Sequence, residues 1–258
     1  MKAIEVRRLY HSYNDSEFIL RGIDFDVEPG EVVVLLGSSG AGKSTLLRCL
    51  NFLVKPTRGE ILLEGQDILC CSGKKLYQVR RKMGMIFQEF NLINRTSVLE
   101  NVMLGRLGYN STLRSVLNWF PPSEYEVAWE SLEKVGMAGY AYEIVANLSG
   151  GERQRVGIAR ALSQKPRILL ADEPVSNLDP KLMVEIMDLL VKICASEGLT
   201  LVASLHFVEL AKRYAGRLIG IREGAVVFDD HPSLLGKREV DEIYGGTKEW
   251  ILYGETEI

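Results

Sequence analysis

The sequence has no apolar run near the roughly 18 to 20 residues that a membrane-spanning helix needs. Its opening, "MKAIEVRRLYHSY", also lacks the apolar stretch and cleavage site of a secretory signal. Both absences predict a chain that stays in the cytosol. Cysteine is sparse: Cys49, Cys70, Cys71 and Cys194 show no CxxC metal spacing, which favours structural, reduced thiols over a disulfide or a zinc site. Basic charge is not in excess either. A formal net charge of −3 gives no electrostatic reason to expect a nucleic-acid partner. No fixed-period repeat, low-complexity tract or linker divides the chain, and only a short polar tail follows "GAVVFDDHP", so no sizeable C-terminal regulatory domain is expected. What is present is 258 residues, 47% hydrophobic and 25% charged, the composition of a globular protein with a real core.

The opening third reads as short strands between turns. "MKAIEVRRLY" and "GIDFDV" alternate loosely, and "EVVVLLG" is an unbroken apolar run suited to a strand buried on both faces. Helical text follows in "KSTLLRCLNFL", then strand again in "EILLEGQDI", and "LYQVRRKMGMIF" passes from a basic helix into a strand. Residues 89–150 are mostly helical, with Val127, Leu132 and Val135 expected near one face. "RILLADE" and "TLVASLH" are further buried strands, separated by a helix predicted to carry Leu182, Ile186, Leu189 and Ile193 on its apolar stripe. Strand and helix alternate as in an α/β core with a parallel-type sheet.

The loop Gly37, Ser38, Ser39, Gly40, Ala41, Gly42, Lys43, Ser44, Thr45 fits G-x-x-x-x-G-K-[ST], with a buried strand before it and a helix after it. Its glycines let backbone N–H groups turn inward around phosphate oxygens, and the helix N-terminus adds roughly half a positive charge. Lys43 is placed to bridge the β- and γ-phosphates of a nucleotide, and the Ser44 hydroxyl to ligate magnesium. "ILLADE" supplies what that loop lacks: Asp172 to hold the metal and Glu173 to reach the attacking water. Phosphoryl transfer needs dipolar or positive groups on every side of the γ-phosphate. A second glycine-rich helix start, "LSGGERQR", offers Ser149 and the amides of Gly150 and Gly151, with Glu152 positioned to close a capping box.

"GSSGAGKST", Gln88 in "MIFQEF", "LSGGERQR", "ILLADE", "SNLD" and His206 after a strand occur in the order and spacing of the ATP-binding cassette family, which this chain closely resembles over nearly its whole length. The resemblance implies a P-loop NTPase core, with an N-terminal antiparallel β subdomain and a mixed or parallel sheet flanked by helices, into which an α-helical subdomain is inserted. On that reading residues 1–88 and 151–258 form the core and 89–150 the inserted subdomain. It further implies a head-to-tail homodimer with a second copy, or a pseudo-dimer, in which each signature caps ATP held by the other chain. Residue by residue, Tyr13 matches the aromatic that stacks on adenine, Gln88 the sensor of magnesium and attacking water, Asp179 the loop contact across the pair, and His206 the switch that meets the γ-phosphate. Phe207 stands where an acidic residue is frequent, and "DDHP" lacks a common glycine; neither departure touches the phosphates.

"FQEFNLINRTSVLENV", "NVMLGRLGYNSTLRSVLNWF" and "SLHFVELAKRYAGRLIGIREGAVVFD" resemble the phosphonate importer ATPases. That resemblance implies transmembrane permease subunits as partners, a substrate-binding protein acting indirectly, and a peripheral place on the cytoplasmic face of the inner membrane. Tyr109, Leu113, Trp119 and Phe120 are equally readable as packing within the helical segment. Importers of phosphate, phosphite, amino acids or another small solute remain open as alternatives. A DNA-repair cassette would separate its motifs with a coiled coil, and no heptad run is present. A small-molecule kinase would share the Lys43 loop but have no use for the signature.

Overall fold

The computed structural model describes residues 1–14, 17–110 and 119–246. Its first two strands, β1 (Ile4–His11) and β2 (Leu20–Val27), pair antiparallel. Alternation fails at Arg7 and Arg8, both exposed, because β1 is irregular between Val6 and Leu9, with Arg8 at φ 44°. A bulge of this kind turns successive side chains to the same side. After β3 (Val32–Leu36) and α1 (Lys43–Leu50), β4 (Arg58–Leu63) pairs with β1 and β5 (Gln66–Asp67) with β4. The result is a four-stranded antiparallel sheet in the order β2-β1-β4-β5.

The chain continues through α2 (Gly73–Arg80), β6 (Met83–Ile86), α3 (Val98–Met103), a 3-10 segment over Leu104–Tyr109, α4 (Pro122–Lys134) and α5 (Gly150–Ser163). It closes with β7 (Ile168–Asp172), α6 (Pro180–Glu197), β8 (Thr200–Ser204), α7 (Val208–Tyr214), β9 (Arg217–Arg222), β10 (Ala225–Asp230) and α8 (Lys237–Tyr244). The second sheet runs β10-β9-β3-β8-β7-β6; its pairs are parallel except β10 with β9. This is the mixed sheet and N-terminal antiparallel layer of a P-loop NTPase fold.

β3 divides the core. Val33 and Leu35 belong to a cluster with Leu9, Ile23, Leu46 and Ile61 beneath the antiparallel sheet, whereas Val34 and Leu36 face a cluster reaching Val102, Leu132, Ile158 and Ile186. Successive side chains of a strand point to opposite faces, so both faces must be apolar and the text reads as an unbroken run. The helices α3 to α6 therefore share one apolar core with the far face of the sheet.

Two expected helix faces are rotated. On α6 the deeply buried residues are Met183, Ile186, Met187, Leu190, Ile193 and Cys194, while Leu182 and Leu189 are half-buried. The flank is not idle: Leu182 lies over Gly151 of α5, where an added Cβ would come within 2.5 Å of its Cδ2. On α4 the buried side is Ala128, Ser131 and Leu132, continued by Val135, and Val127 is half-buried. In the 101–120 stretch Phe120 is buried, Tyr109 and Trp119 are exposed, and Leu113 lies outside the described residues. Cys49, Cys71 and Cys194 are buried free thiols, but Cys70 is exposed, with its thiol donating to the Asp67 carboxylate. Among the described residues no helix is long and apolar enough to cross a membrane.

Candidate active site

The carboxyl ends of β3, β8, β7 and β6, neighbours in the sheet, open onto a cleft of ≈ 380 Å³ lined by Ile19, residues 39–45, Gln88, Glu173 and His206. A crevice beyond these strand ends is where open α/β sheets hold ligands. The tight turn from β3 into α1 requires glycine at two places. Gly42 sits at φ 105°, and a Cβ on Gly37 would lie 2.3 Å from the Ile221 carbonyl oxygen.

Lys43, 4% exposed, donates to the carbonyls of Gly37 at 2.7 Å and Ser38 at 3.0 Å. These bonds fold the loop back over the ammonium. Burial pulls its pKa below the ordinary lysine range, opposed by the charges of Glu173 and Asp172. Ser44 Oγ donates to Asp172 Oδ1 at 2.7 Å, and Ser204 Oγ donates to the same oxygen at 3.2 Å while accepting the Glu173 N–H at 2.9 Å. Asp172 is 2% exposed, so its charge is held by hydroxyls rather than by water. The His206 Nε2 contacts the Glu173 carboxylate, and this hydrogen bond holds Glu173 below the usual glutamate range against the opposing effect of burial. Glu173 itself stands at φ 48°, a left-handed backbone that costs a non-glycine residue on the order of 1–3 kcal/mol and clusters at functional sites.

Of the remaining sequence-derived residues, only Gln88, exposed at the end of β6, joins the cleft. Tyr13 is exposed and meets the buried His11 edge-on at 4.6 Å. Ser149 caps α5: the Glu152 N–H donates to its Oγ at 3.4 Å, and its own N–H donates to the Glu152 carboxylate at 2.8 Å. The capping box is therefore formed, and it leaves Ser149 and Gly150 on the surface, with Gly151 buried under Leu182. Asp179 caps α6 through a 3.0 Å bond from the Leu182 N–H. Ser149, Gly150, Gly151, Asp179 and Tyr13 are not part of the Lys43 cleft lining.

Sequence reading missed two residues. Ser204 couples Asp172 to Glu173, and its signal was a serine ending the buried strand "TLVAS". Arg160, 9% exposed on α5, donates to the carbonyls of Phe90 and Asn91, just past Gln88. A cation inside the otherwise apolar "VGIARAL" marked a buried polar task. Each charge-assisted bond is worth about 1.5–3 kcal/mol, which ties the helix begun by "SGGER" to the loop after Gln88.

The family described as ABC transporter matches residues 20–176 of the chain. The phosphonates import ATP-binding protein PhnC of Wolinella succinogenes is 47% identical over 247 residues, covering 96% of this chain and 90% of that protein. The protein of the same name from Shouchella clausii is 48% identical, covering 94% of this chain and 91% of its own. A dimeric ATP-binding cassette solved in a post-hydrolysis state with ADP and Pi superposes at a TM-score of 0.77 with 33% identity, over 90% of this chain and 99% of that one. The cbiO1 protein of Clostridium perfringens, part of an ABC transporter complex, superposes at 0.80 with 29% identity over 93% of each chain. With the loop, the paired carboxylates and the capped second helix in place, the chain belongs to the ABC transporter family as one of its ATP-hydrolysing cassettes.

Proposed function

We propose that this chain powers an importer of phosphonates, acting as a head-to-tail pair with a second copy on the cytoplasmic face of the inner membrane. The observation that carries the cargo assignment is identity at nearly half of all positions, along almost the full length, with proteins named for phosphonate import. Residues 89–150 are read as the subdomain that meets the transmembrane permease subunits, while the substrate-binding protein acts through those subunits. An exposed apolar surface in that segment supports the docking role: Ile93, Tyr140, Tyr142 and Ile144 stand out where the backbone of residues 94–97 bonds to that of 144–146. This surface continues from Gln88, so movement of the cleft has a short path to a partner.

In the reaction as proposed, the loop amides and Lys43 orient the triphosphate, and Tyr13 stacks on adenine. The donor set fits magnesium: Ser44 and Asp172 present hard oxygens already in contact at 2.7 Å, with the Gln88 amide in the same cleft. When bound, the ion neutralises charge on the β- and γ-phosphates. Glu173 takes a proton from the attacking water, and His206 turns from Glu173 toward the γ-phosphate. The partner's Ser149, Gly150 and Gly151 would close the far side, and Asp179 would contact the other chain. Binding of two nucleotides closes the pair and hydrolysis reopens it.

Because the signature serves the other chain's nucleotide on this reading, Gly150→Asp, at an exposed position where an added Cβ meets nothing closer than 3.7 Å, should lower ATPase activity about 100-fold or more and leave single-chain nucleotide affinity unchanged. A titration with a fluorescent ATP analogue beside a phosphate-release assay separates the two. Equal loss of both would place the signature outside the second cradle. The cargo is tested by ATPase activity of the chain assembled with its permease in lipid. Stimulation by binding protein loaded with an alkylphosphonate, and not with phosphate, phosphite or an amino acid, is the expected result; preference for another cargo would overturn the phosphonate assignment.

A further inference from the structure

We propose that Tyr244, in the last turn of α8, is a positioning residue for ATP hydrolysis: its hydroxyl fixes the backbone of His206 and thereby the imidazole that meets Glu173. The inference rests on the ATPase role given to His206 above.

The Tyr244 ring is 5% exposed, and its Oη donates to the His206 carbonyl at 3.1 Å. A buried hydroxyl needs an acceptor, and this one reaches a residue 38 positions earlier in the chain. His206 stands between β8 and α7, and the N-cap of α7, Phe207, provides no side-chain cap. From the turn that the Tyr244 bond reaches, its Nε2 contacts the Glu173 carboxylate.

α8 is anchored well enough to act as the fixed end. The Gly236 N–H donates to Glu239 at 3.0 Å at its start, and Arg222 donates to the Glu242 carbonyl at 3.3 Å near its end. Val240 and Ile243 are buried in the same apolar cluster as Tyr244. β9 makes room for them: a Cβ on Gly220 would approach Ile243 Cδ1 to 2.5 Å. The Tyr244 hydroxyl is thus held by a helix packed on the sheet that carries the cleft, and its bond goes to the His206 backbone and not to the imidazole. The inference is that the carbonyl stays fixed while the ring moves between Glu173 and the γ-phosphate, so closure changes one torsion instead of the whole turn.

Tyr244→Phe keeps the ring and removes the hydroxyl. Loss of one such bond should lower kcat about 5-fold, with KM for ATP essentially unchanged. Combined with His206→Ala, the same change should have no further effect on the residual rate. The protein has 3 histidines, so their imidazole proton resonances can be followed individually: Tyr244→Phe should shift the His206 signal and leave those of His11 and His231 in place. Unchanged kcat and an unchanged His206 signal in Tyr244→Phe, in a protein where His206→Ala lowers the rate sharply, would overturn the role of Tyr244 alone. An equal loss on adding Tyr244→Phe to His206→Ala would also overturn it, since the hydroxyl would then act elsewhere. Full activity in His206→Ala would instead remove the underlying role of His206, and the inference with it.

Discussion

Replacing Glu173 with glutamine should reduce steady-state ATP hydrolysis about 100- to 10,000-fold, the usual cost of losing a general base, while nucleotide still binds and ATP-dependent dimers become easier to trap. The geometry separates the two effects. The groups proposed to grip phosphate, Lys43 and the loop amides, lie between the end of β3 and the start of α1, whereas the Glu173 carboxylate follows the end of β7 and touches His206. Glutamine keeps the size and hydrogen-bonding reach of the side chain but cannot take a proton. Phosphate release and size-exclusion chromatography with ATP provide the readouts; near-normal turnover would remove Glu173 from the role of base. The ionisation of Glu173 also has a sign that can be checked. Its folded pKa lies below the ordinary value of 4.5 because of the His206 hydrogen bond, so its stabilising contribution is fully present above that value and is lost as pH falls through the lower folded one. The thermal-midpoint gap between native protein and Glu173→Gln should narrow as pH falls below about 4.

Lys43→Ala should abolish tight nucleotide binding as well as turnover, with hydrolysis falling about 100- to 1,000-fold at saturating ATP, as for removal of a charge-stabilising donor at the reacting phosphate. Here the unliganded protein should differ little in stability. The ammonium is buried and its pKa is pulled down by that burial, so alanine removes a desolvated charge at the same time as it removes two hydrogen bonds to the loop carbonyls. Those costs oppose each other. In contrast, ATP should raise the melting temperature of the native protein and of Glu173→Gln, but not of Lys43→Ala, because only ligand that binds the folded state stabilises it. A thermal shift with ATP in Lys43→Ala equal to that of the native chain would overturn the assignment of Lys43 to the phosphates.

Much of the cleft was legible in the text because its parts are local. A strand, a glycine turn and a helix N-terminus are specified by contiguous residues, and "EVVVLLGSSGAGKST" could form little else. "ILLADE" was legible for the same reason: an unbroken apolar strand delivers its first charged residues to the strand's end. The faces of α4 and α6 were less so. Periodicity showed that each helix had an apolar side, but several neighbouring positions were apolar, and Met183 is buried while Leu182 lies half-buried over Gly151 of another helix.

The sequence by itself determined the α/β class, the phosphate loop, the two carboxylates and the capped second helix, because each depends on backbone geometry and side chains within a few residues. Only the tertiary structure decided that Ser204 joins Asp172 to Glu173, that Arg160 holds the loop after Gln88, and that Tyr244 reaches His206. Those bonds join residues 31 to 70 positions apart. The donors and acceptors are ordinary residue types whose partners are selected by strand order and helix packing, and no local pattern encodes that selection.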